Sequence, residues 1–226
     1  NPSTKILTVI NTCGTIAAGT SSTIDAKSLT ADGKLTSQGD LSIGITNDFN
    51  NTSELTANGN LTLNTTGTIT NTSKITAGET LTLGSNQLYN EVTGEISGAD
   101  THLNTADAIF NRGLIDGGAT TVIKTQNLNN IGTGRIYGDH ISIATDRLNN
   151  IDEIVGGVTK AATIAARDQL DIGANVILNK EHASIISLGD MHIGGALDSN
   201  NIATGSVTTL NNESATIDAG DNLSIS

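Results

Sequence analysis

Residues 68–90, TITNTSKITAGETLTLGSNQLYN, decide the fold of this chain, because they span slightly more than one period of a repeat. The repeat is marked by a triplet (apolar residue, any residue, asparagine) that starts at Ile69 and again at Leu88. Its apolar member recurs at 9, 29, 49, 69, 88, 109, 128 and 148, in steps of 20, 20, 20, 19, 21, 19 and 20 residues. Only Ala31 replaces the asparagine in this series. A fixed period of about 20 residues predicts a solenoid.

Each period contains three short runs in which apolar and polar residues alternate. One period has them at 74–77, 80–83 and 87–90, with Gly78 and Gly84 between them. Alternation predicts half-buried strands, and glycine predicts the corners. Stacked hairpins would need two-residue Asn-Gly turns, which are mostly absent. We therefore predict an all-β fold: a right-handed parallel β-helix of roughly ten coils, with three short strands and about 20 residues per coil. Its right hand is expected from the usual crossover preference and from the family resemblance described below, and not from the repeat pattern.

The asparagine that closes the third run is predicted to form a ladder, in which each amide hydrogen-bonds the amide one coil above. The predicted ladder residues are Asn11, Asn51, Asn71, Asn90, Asn111, Asn130, Asn150, Asn179 and Asn212. N-glycosylation is the alternative, because Asn51, Asn60 and Asn71 each begin an Asn-x-Ser/Thr acceptor pattern. The ladder explains the regular spacing, which glycosylation does not.

The period is regular to position 148 and stretched afterwards. The triplet returns at 177 and 210, in steps of 29 and 33 residues. We therefore predict a regular β-helix over 1–151 and, over 152–226, its continuation with two inserted loops that form the candidate receptor-binding part. The excess residues fall between 150 and 168 and between 193 and 210. Loops on a regular scaffold often carry binding residues, but insertions are also tolerated with no partner.

Composition argues against several classes of partner. A net charge of −12, with eleven Lys and Arg scattered singly, is unlike a nucleic-acid binder. Cys13 is the only cysteine, so no internal disulfide can form. The sequence has no run of 18 apolar residues, so we predict no membrane span. After Asn1 there is no charged segment followed by an apolar segment, as a secretion leader would have. The chain begins and ends within repeats, which indicates a segment of something longer.

Chemistry-bearing residues form no metal-binding or catalytic pattern. The four histidines lack the spacing of metal ligands, so we predict no metal and no cofactor. No histidine lies near Cys13 to activate it, and the glycine-rich residues 112–118 lack the Lys-Ser/Thr end of a phosphate-binding loop. Polysaccharide-degrading β-helices need clustered carboxylates in a groove. The carboxylates that recur near turns are interpreted as solvated corners: Asp25, Asp40, Glu79 and Asp116.

Several runs resemble the haemagglutinin repeats of filamentous-haemagglutinin-like exoproteins. They are NRGLIDG at 111–117, LNNIGTGRIYGD at 128–139 and SLGDMHIGGAL at 187–197, followed by ATG at 203–205 and LNN at 210–212. Together they are most similar to the CdiA-type proteins of contact-dependent growth inhibition. The resemblance covers nearly the whole chain.

The resemblance implies a non-catalytic segment, monomeric within a long β-helical filament, that is secreted to the bacterial surface by an outer-membrane transporter of the two-partner secretion type. Such a filament recognises an outer-membrane protein or lipopolysaccharide of a neighbouring bacterium and delivers a separate toxin. The alternatives are an adhesin stalk for a host surface or glycan and, less favoured, a polysaccharide-degrading enzyme. The predicted receptor contacts lie in or beside the stretched coils: Lys160, Arg167, Asp168, His182, His192 and Asp198.

Overall fold

A computed structural model describes residues 5–226 and confirms the predicted fold. The described residues form no helix, and parallel strands stack into a β-solenoid of about nine turns of roughly 20 residues. The number of coils is therefore slightly smaller than the roughly ten predicted from the sequence.

The strands of the first coils are short. They are β1 (Thr8–Asn11), β2 (Thr15–Ala18), β3 (Ser22–Asp25), β4 (Ser28–Ala31), β5 (Lys34–Ser37), β6 (Leu41–Ile45), β7 (Phe49–Asn51), β8 (Leu55–Ala57), β9 (Leu61–Thr65), β10 (Thr68–Asn71) and β11 (Lys74–Ala77). The later strands are β12 (Thr80–Asn90), β13 (Glu95–Asn111), β14 (Leu114–Lys124), β15 (Asn127–Ile131), β16 (Arg135–Val155), β17 (Val158–Ala161), β18 (Thr163–Lys180), β19 (Ser184–Ser187), β20 (Asp190–Gly194), β21 (Ala196–Leu197), β22 (Ala203–Thr204), β23 (Thr209–Glu213), β24 (Thr216–Ala219) and β25 (Leu223–Ile225).

Three parallel sheets run along the solenoid, and we name them by a residue of one coil. The first face passes through Ile75, the second through Leu81 and the third through Leu88. Within the solenoid, strands of the inner coils pair in parallel with the strand one coil below and one coil above, so equivalent repeat positions lie on top of one another. Because of this register, residues one period apart in the sequence form columns along the solenoid, and the members of a column have similar surroundings.

Several later coils differ from the prediction of three separate strands of three to five residues. There the backbone remains extended around the corners, so β13 alone covers all three faces and β16 continues beyond them. The register shifts at these corners, for example between Gly98 and Asp100. A corner that pairs with the corner above it satisfies its peptide groups without a turn.

The core is a set of apolar columns. The column of the first face contains Leu35, Leu55, Ile75, Ile96, Ile115, Ile136, Ile164 and Ile185, all buried. Two inward positions of the second face are threonines, Thr101 and Thr121, whose hydroxyls donate to the carbonyls of Asp116 and Tyr137 at 2.8 and 2.7 Å. The buried hydroxyls are therefore paired, as buried polar groups must be.

The asparagine column is continuous from Asn51 to Asn212. Its seven links each join Nδ2 of one residue to Oδ1 of the next at 2.8 Å. Each side chain from Asn51 to Asn179 also donates to a carbonyl at the start of a first-face strand, as Asn111 does to Arg135 at 3.2 Å. The links to Asn179 and Asn212 remain although 29 and 33 residues separate the partners, so the insertions leave the ladder intact.

Ala31 interrupts the ladder. Nδ2 of Asn11 donates to the carbonyl of Lys34 at 3.0 Å, but no amide lies between Asn11 and Asn51. Oδ1 of Asn51 is consequently buried without a hydrogen-bond partner. Buried acceptors of this kind cost free energy, so the ladder has one local defect.

The ladder also bears on the glycosylation alternative. The side chains of Asn51 and Asn71 are buried and bonded to each other, which withholds both amides from a modifying enzyme. Asn60 is half-buried, and its Nδ2 donates to Oδ1 of Asp40 at 3.1 Å.

Candidate functional site

The first insertion is a β-hairpin that leaves the solenoid after the third face of its coil. Strand β17 pairs antiparallel with the end of β16, from Asp152 opposite Ala161 to Val155 opposite Val158. Gly156 and Gly157 form the two-residue turn with φ of 60° and 79°, the left-handed region that such a hairpin turn requires.

The tip of this hairpin is apolar and exposed. Ile154, Val155 and Val158 have 70, 51 and 53% of their surface accessible. They flank the turn on both faces of a two-stranded ribbon that has no third strand. An isolated ribbon of this kind is marginally stable alone, so contacts at its base must hold it.

Two arginines hold the base of the hairpin. The guanidinium of Arg112 binds the carboxylate of Glu153 through Nε at 3.1 and 2.9 Å and through Nη2 at 3.0 Å. This hydrogen bonding raises the pKa of Arg112, against the opposing effect of partial burial. Nη1 of Arg135 donates to the carbonyl of Ala161 at 3.0 Å on the other strand. Fork-shaped contacts fix direction as well as distance, so the hairpin has a defined exit angle.

The second insertion folds back over the second face. Its strands β21 and β22 form a short antiparallel pair, and Oδ1 of Asp198 accepts the N–H groups of Asn200 and Ile202 at 2.8 and 2.9 Å. The chain passes so close to the second face at Gly173 that an added Cβ would lie 2.3 Å from the carbonyl carbon of Ala196. Glycine is therefore required there for the loop to lie flat.

Outward positions of the second face are buried where this loop covers them. Val122 and Asp171 have only 5 and 2% of their surface accessible, and Ser142 is also buried. Alternation of the strand would place all three in solvent. Their burial shows that the second insertion forms an additional layer rather than a protruding loop.

Asp171 anchors this layer. Its Oδ1 accepts the N–H of Ala203 at 2.8 Å, and its Oδ2 accepts Nε2 of Gln169 at 2.6 Å. Nδ1 of His192 lies 3.4 Å from Oδ1 of Asp171 and is buried without a hydrogen-bond partner in the described structure. The predicted contact residue His192 therefore sits beside the anchor of the loop.

Arg167 and Asp168 lie at the corner between the first and second faces, and both contact a side chain of the neighbouring coil. Arg167 pairs with Asp139, and its Nη2 donates to the carbonyl of Gly118 at 2.6 Å. The bond to Asp139 raises the pKa of Arg167. Oδ2 of Asp168 lies 3.0 Å from Nε2 of His140. These contacts form an exposed polar row that joins two adjacent coils, and the carbonyl of Gly118 extends it to a third.

Asp116 lies beside this row, on the outward side of the first face. Its Oδ1 is buried and has no hydrogen-bond partner in the described residues. Loss of hydration raises the pKa of Asp116, although Arg167 acts in the opposite direction. Burial therefore disfavours the ionised form of Asp116, so keeping this carboxylate ionised costs free energy in the folded protein.

The six predicted contact residues do not converge on one site. Lys160 lies on the hairpin opposite Glu153, and Asp198 shapes the turn of the second insertion. Exposed His182 occupies a corner beyond the third face with φ of 69°, and its N–H donates to the carbonyl of Ser214 at 2.7 Å. Arg167 and Asp168 are adjacent on a different corner, so the list describes four separate surfaces.

Sequence reasoning missed the residues that position the insertions. Arg112 is 41 residues from Glu153, and no local pattern joins them. The stretch Val155-Gly156-Gly157-Val158 does carry a signal, because two glycines between β-branched residues predict a two-residue hairpin turn. Asp171 looks like an ordinary outward position of an alternating strand until the loop above it is known.

Stacked aromatic rings are found on the third face. The rings of Tyr89 and Phe110 lie one coil apart with centroids 4.8 Å apart and planes inclined by 11°. Each ring covers one face of the other, which stabilises this coil pair by about 0.5–1.5 kcal/mol beyond burial. The stack is therefore explained by packing between coils.

Parallel coils, a buried amide ladder and two anchored insertions define this chain as a β-solenoid. The haemagglutinin-repeat family matches residues 15–73, 56–152 and 155–226, so the chain belongs to this family. Its members are typically secreted surface filaments, which makes this a filamentous, adhesin-like surface protein. Family and fold are typical of structural and adhesin segments rather than of enzymes.

No curated protein and no solved structure matches the chain. Residues 5–226 contain no group of three or more His, Cys, Asp or Glu side chains placed to hold a metal ion. A search of the same residues for a helix long and apolar enough to span a membrane finds none.

Proposed function

We propose that this segment recognises a receptor on the outer membrane of neighbouring bacteria and that its filament delivers a toxin on contact. The observation that carries the proposal is the hairpin over 152–161, whose exposed apolar tip is held at a fixed angle by Arg112 and Arg135. The receptor is an outer-membrane protein or lipopolysaccharide, and the segment itself performs no catalysis.

The energetics of the tip support a docking role. Ile154, Val155 and Val158 leave half or more of their surface exposed in the fold. Full burial of a side chain of this kind contributes about 1.5–3 kcal/mol, so burying the exposed part in a partner recovers a share of that free energy. Binding energy in protein interfaces is concentrated in a few well-buried anchors. A hairpin fixed at its base also loses little conformational entropy on binding, because it is ordered beforehand.

Export by a two-partner outer-membrane transporter fits the same construction. The fold of residues 5–226 contains no disulfide, and its coils stack locally on their neighbours. Such a chain can fold coil by coil as it emerges, since each repeat contacts only the next.

The test compares binding of the purified full chain to intact bacteria before and after polar substitutions at the tip. Ile154→Asn together with Val158→Asn is expected to weaken binding at least about ten-fold, because two anchors are lost. Val92→Asn is the matched control, since Val92 is 56% exposed on a regular coil. Bacteria lacking single outer-membrane proteins or truncated in lipopolysaccharide then identify the receptor class.

Two outcomes contradict the proposal. Equal binding by the tip variant and the parent removes the hairpin as the contact surface. Binding to host cells or host glycans with none to bacteria replaces the neighbouring-cell receptor by a host ligand. Circular dichroism of each variant establishes that the β-solenoid is retained in either case.

A further inference from the structure

A recess lies on the second face, at the point where the second insertion ends its path over the sheet. Its volume is about 430 Å³, within the range of about 300–1,000 Å³ that is usual for small-molecule sites. One wall is Asn201, from the tip of the insertion, and the floor includes Val122. The remaining lining residues are Thr82, His102, Leu103, Asn104 and Lys124.

Two of the few basic side chains of this acidic protein meet in the recess. In the register of the second face, His102 is paired with Val122 and Asn104 with Lys124, so the histidine and the lysine lie diagonally on neighbouring coils. Within residues 5–226, neither His102 nor Lys124 forms an ion pair, in contrast to Lys34, which binds Glu54 at 2.7 Å. Their donors are therefore available to an anionic group.

The other lining groups suit the neutral part of a small polar ligand. Thr82 supplies a hydroxyl, and Asn104 and Asn201 supply amides that both donate and accept hydrogen bonds. Asn201 adopts φ of 61°, which places the tip of the insertion over the recess at a local conformational cost.

We propose that this recess binds a sugar-sized molecule that carries one anionic group, a carboxylate or a phosphate. The anionic group is bound by His102 and Lys124, and the hydroxyls by Thr82, Asn104 and Asn201. The inference rests on the proposed function only in treating the second insertion as a recognition element.

Two other ligand classes fit the recess less well. A long polyanion would extend past the two basic side chains onto the surface of a protein with a net charge of −12, which would repel it. A peptide that adds a strand would need an open sheet edge, but β13 and β14 are paired on both sides here. A single charge on a compact polar molecule is what the recess can satisfy.

The second insertion is part of the site because it supplies the wall. Ala203 is bonded to Asp171, and this bond fixes the loop two residues after Asn201. Release of the loop would open the recess and leave only a flat sheet surface. Binding is therefore expected to depend on Asp171, which does not line the recess.

The test is titration of the full chain with glucuronic acid, glucose 6-phosphate and glucose, followed by NMR shifts and calorimetry. At least one acidic sugar is expected to bind about ten-fold or more tightly than glucose, because a hydrogen bond to a charged group is stronger than one between neutral groups. Lys124→Met is expected to remove this preference, whereas Lys27→Met, which makes the same charge change at an exposed lysine outside the recess, leaves it. Preference for the carboxylate or the phosphate sugar identifies the natural anionic group.

Three results would overturn the site. They are equal binding of all three sugars, no binding of either acidic sugar at millimolar concentration, and an acidic-sugar affinity that Lys124→Met leaves unchanged. Binding of the preferred acidic sugar by the hairpin variant Ile154→Asn/Val158→Asn separates the two proposals. That variant tests the hairpin on cells and retains the recess, so one proposal can fail while the other stands.

Discussion

Ala31 marks the one position where the asparagine column lacks its amide, and Ala31→Asn is expected to complete it. The introduced amide would lie between Asn11 and Asn51, which flank Ala31 in the register of the third face. Three residues separate Ala31 from the first-face position Lys34, as for Asn51 and Glu54 in the next coil. Because that corner of equal length already holds a ladder asparagine, the substitution needs no change in backbone path.

The magnitude follows from the hydrogen bonds that change. Oδ1 of Asn51 now lacks a donor, and an unpaired buried acceptor costs about 1–3 kcal/mol. The new amide would donate to this atom and accept from Asn11, while ordering its side chain offsets part of the gain. We expect the free energy of unfolding to rise by about 1–2 kcal/mol. For a chain of this size that corresponds to a melting temperature higher by roughly 2–8 °C.

Urea denaturation followed by circular dichroism measures the change. Ala31→Leu is the control, because leucine adds volume at the same buried position with no hydrogen-bonding group. The Asn51→Ala background completes a double-mutant cycle, in which the benefit of Ala31→Asn should shrink. A destabilised Ala31→Asn protein, or a gain that persists without Asn51, would refute the account of the orphaned acceptor.

Four further predictions concern single contacts. Asn111→Ala should lower the free energy of unfolding by about 2–4 kcal/mol in urea, because the buried amide bonds on both sides of it are lost. Asp116→Asn should stabilise the protein at neutral pH, as measured by melting curves. Because the pKa of Asp116 is raised in the fold, the parent protein loses stability as the pH rises from the ordinary carboxyl pKa to the raised one. The gain from Asp116→Asn should therefore vanish at a pH below the ordinary carboxyl pKa. Arg112→Met should speed proteolysis at Gly156–Gly157 with little loss of overall stability, because the pair with Glu153 is partly exposed. Asp171→Ala should speed hydrogen exchange of the Ala203 amide and should leave exchange in the ladder coils unchanged.

Much of the fold follows from local residue pattern. The spacing of the apolar-x-Asn triplet predicts the coil length, and alternation in runs such as 74–77 predicts which side chains enter the core. Both patterns are short in range, because each coil contacts only its neighbours. The places where strands merge around corners were not predicted, since extended corners depend on pairing with the coil above.

The candidate sites were less accessible to sequence reasoning. The period placed the two insertions between 150 and 168 and between 193 and 210, and the Gly156-Gly157 pair between valines indicates a hairpin turn in the first. The sequence did not predict which charged residues anchor the two insertions. Arg112 binds Glu153 across two coils, and Asp171 binds a loop residue 32 positions later in the chain. Arg167 and His182 were predicted as contacts because they are polar and expected to be exposed. That property does not indicate which way a side chain points or which group it contacts.

The sequence by itself determined the solenoid, its coil length, its asparagine column and the coils that carry extra residues. These properties depend on the spacing of residues along the chain, because coils that stack in register place residues one period apart on top of one another. Only the tertiary structure decided how the base of the hairpin is fixed to the solenoid and that the other insertion lies on the second face and encloses a recess. These arrangements depend on contacts made by Arg112 and by Asp171 across coils, which distance along the chain does not encode.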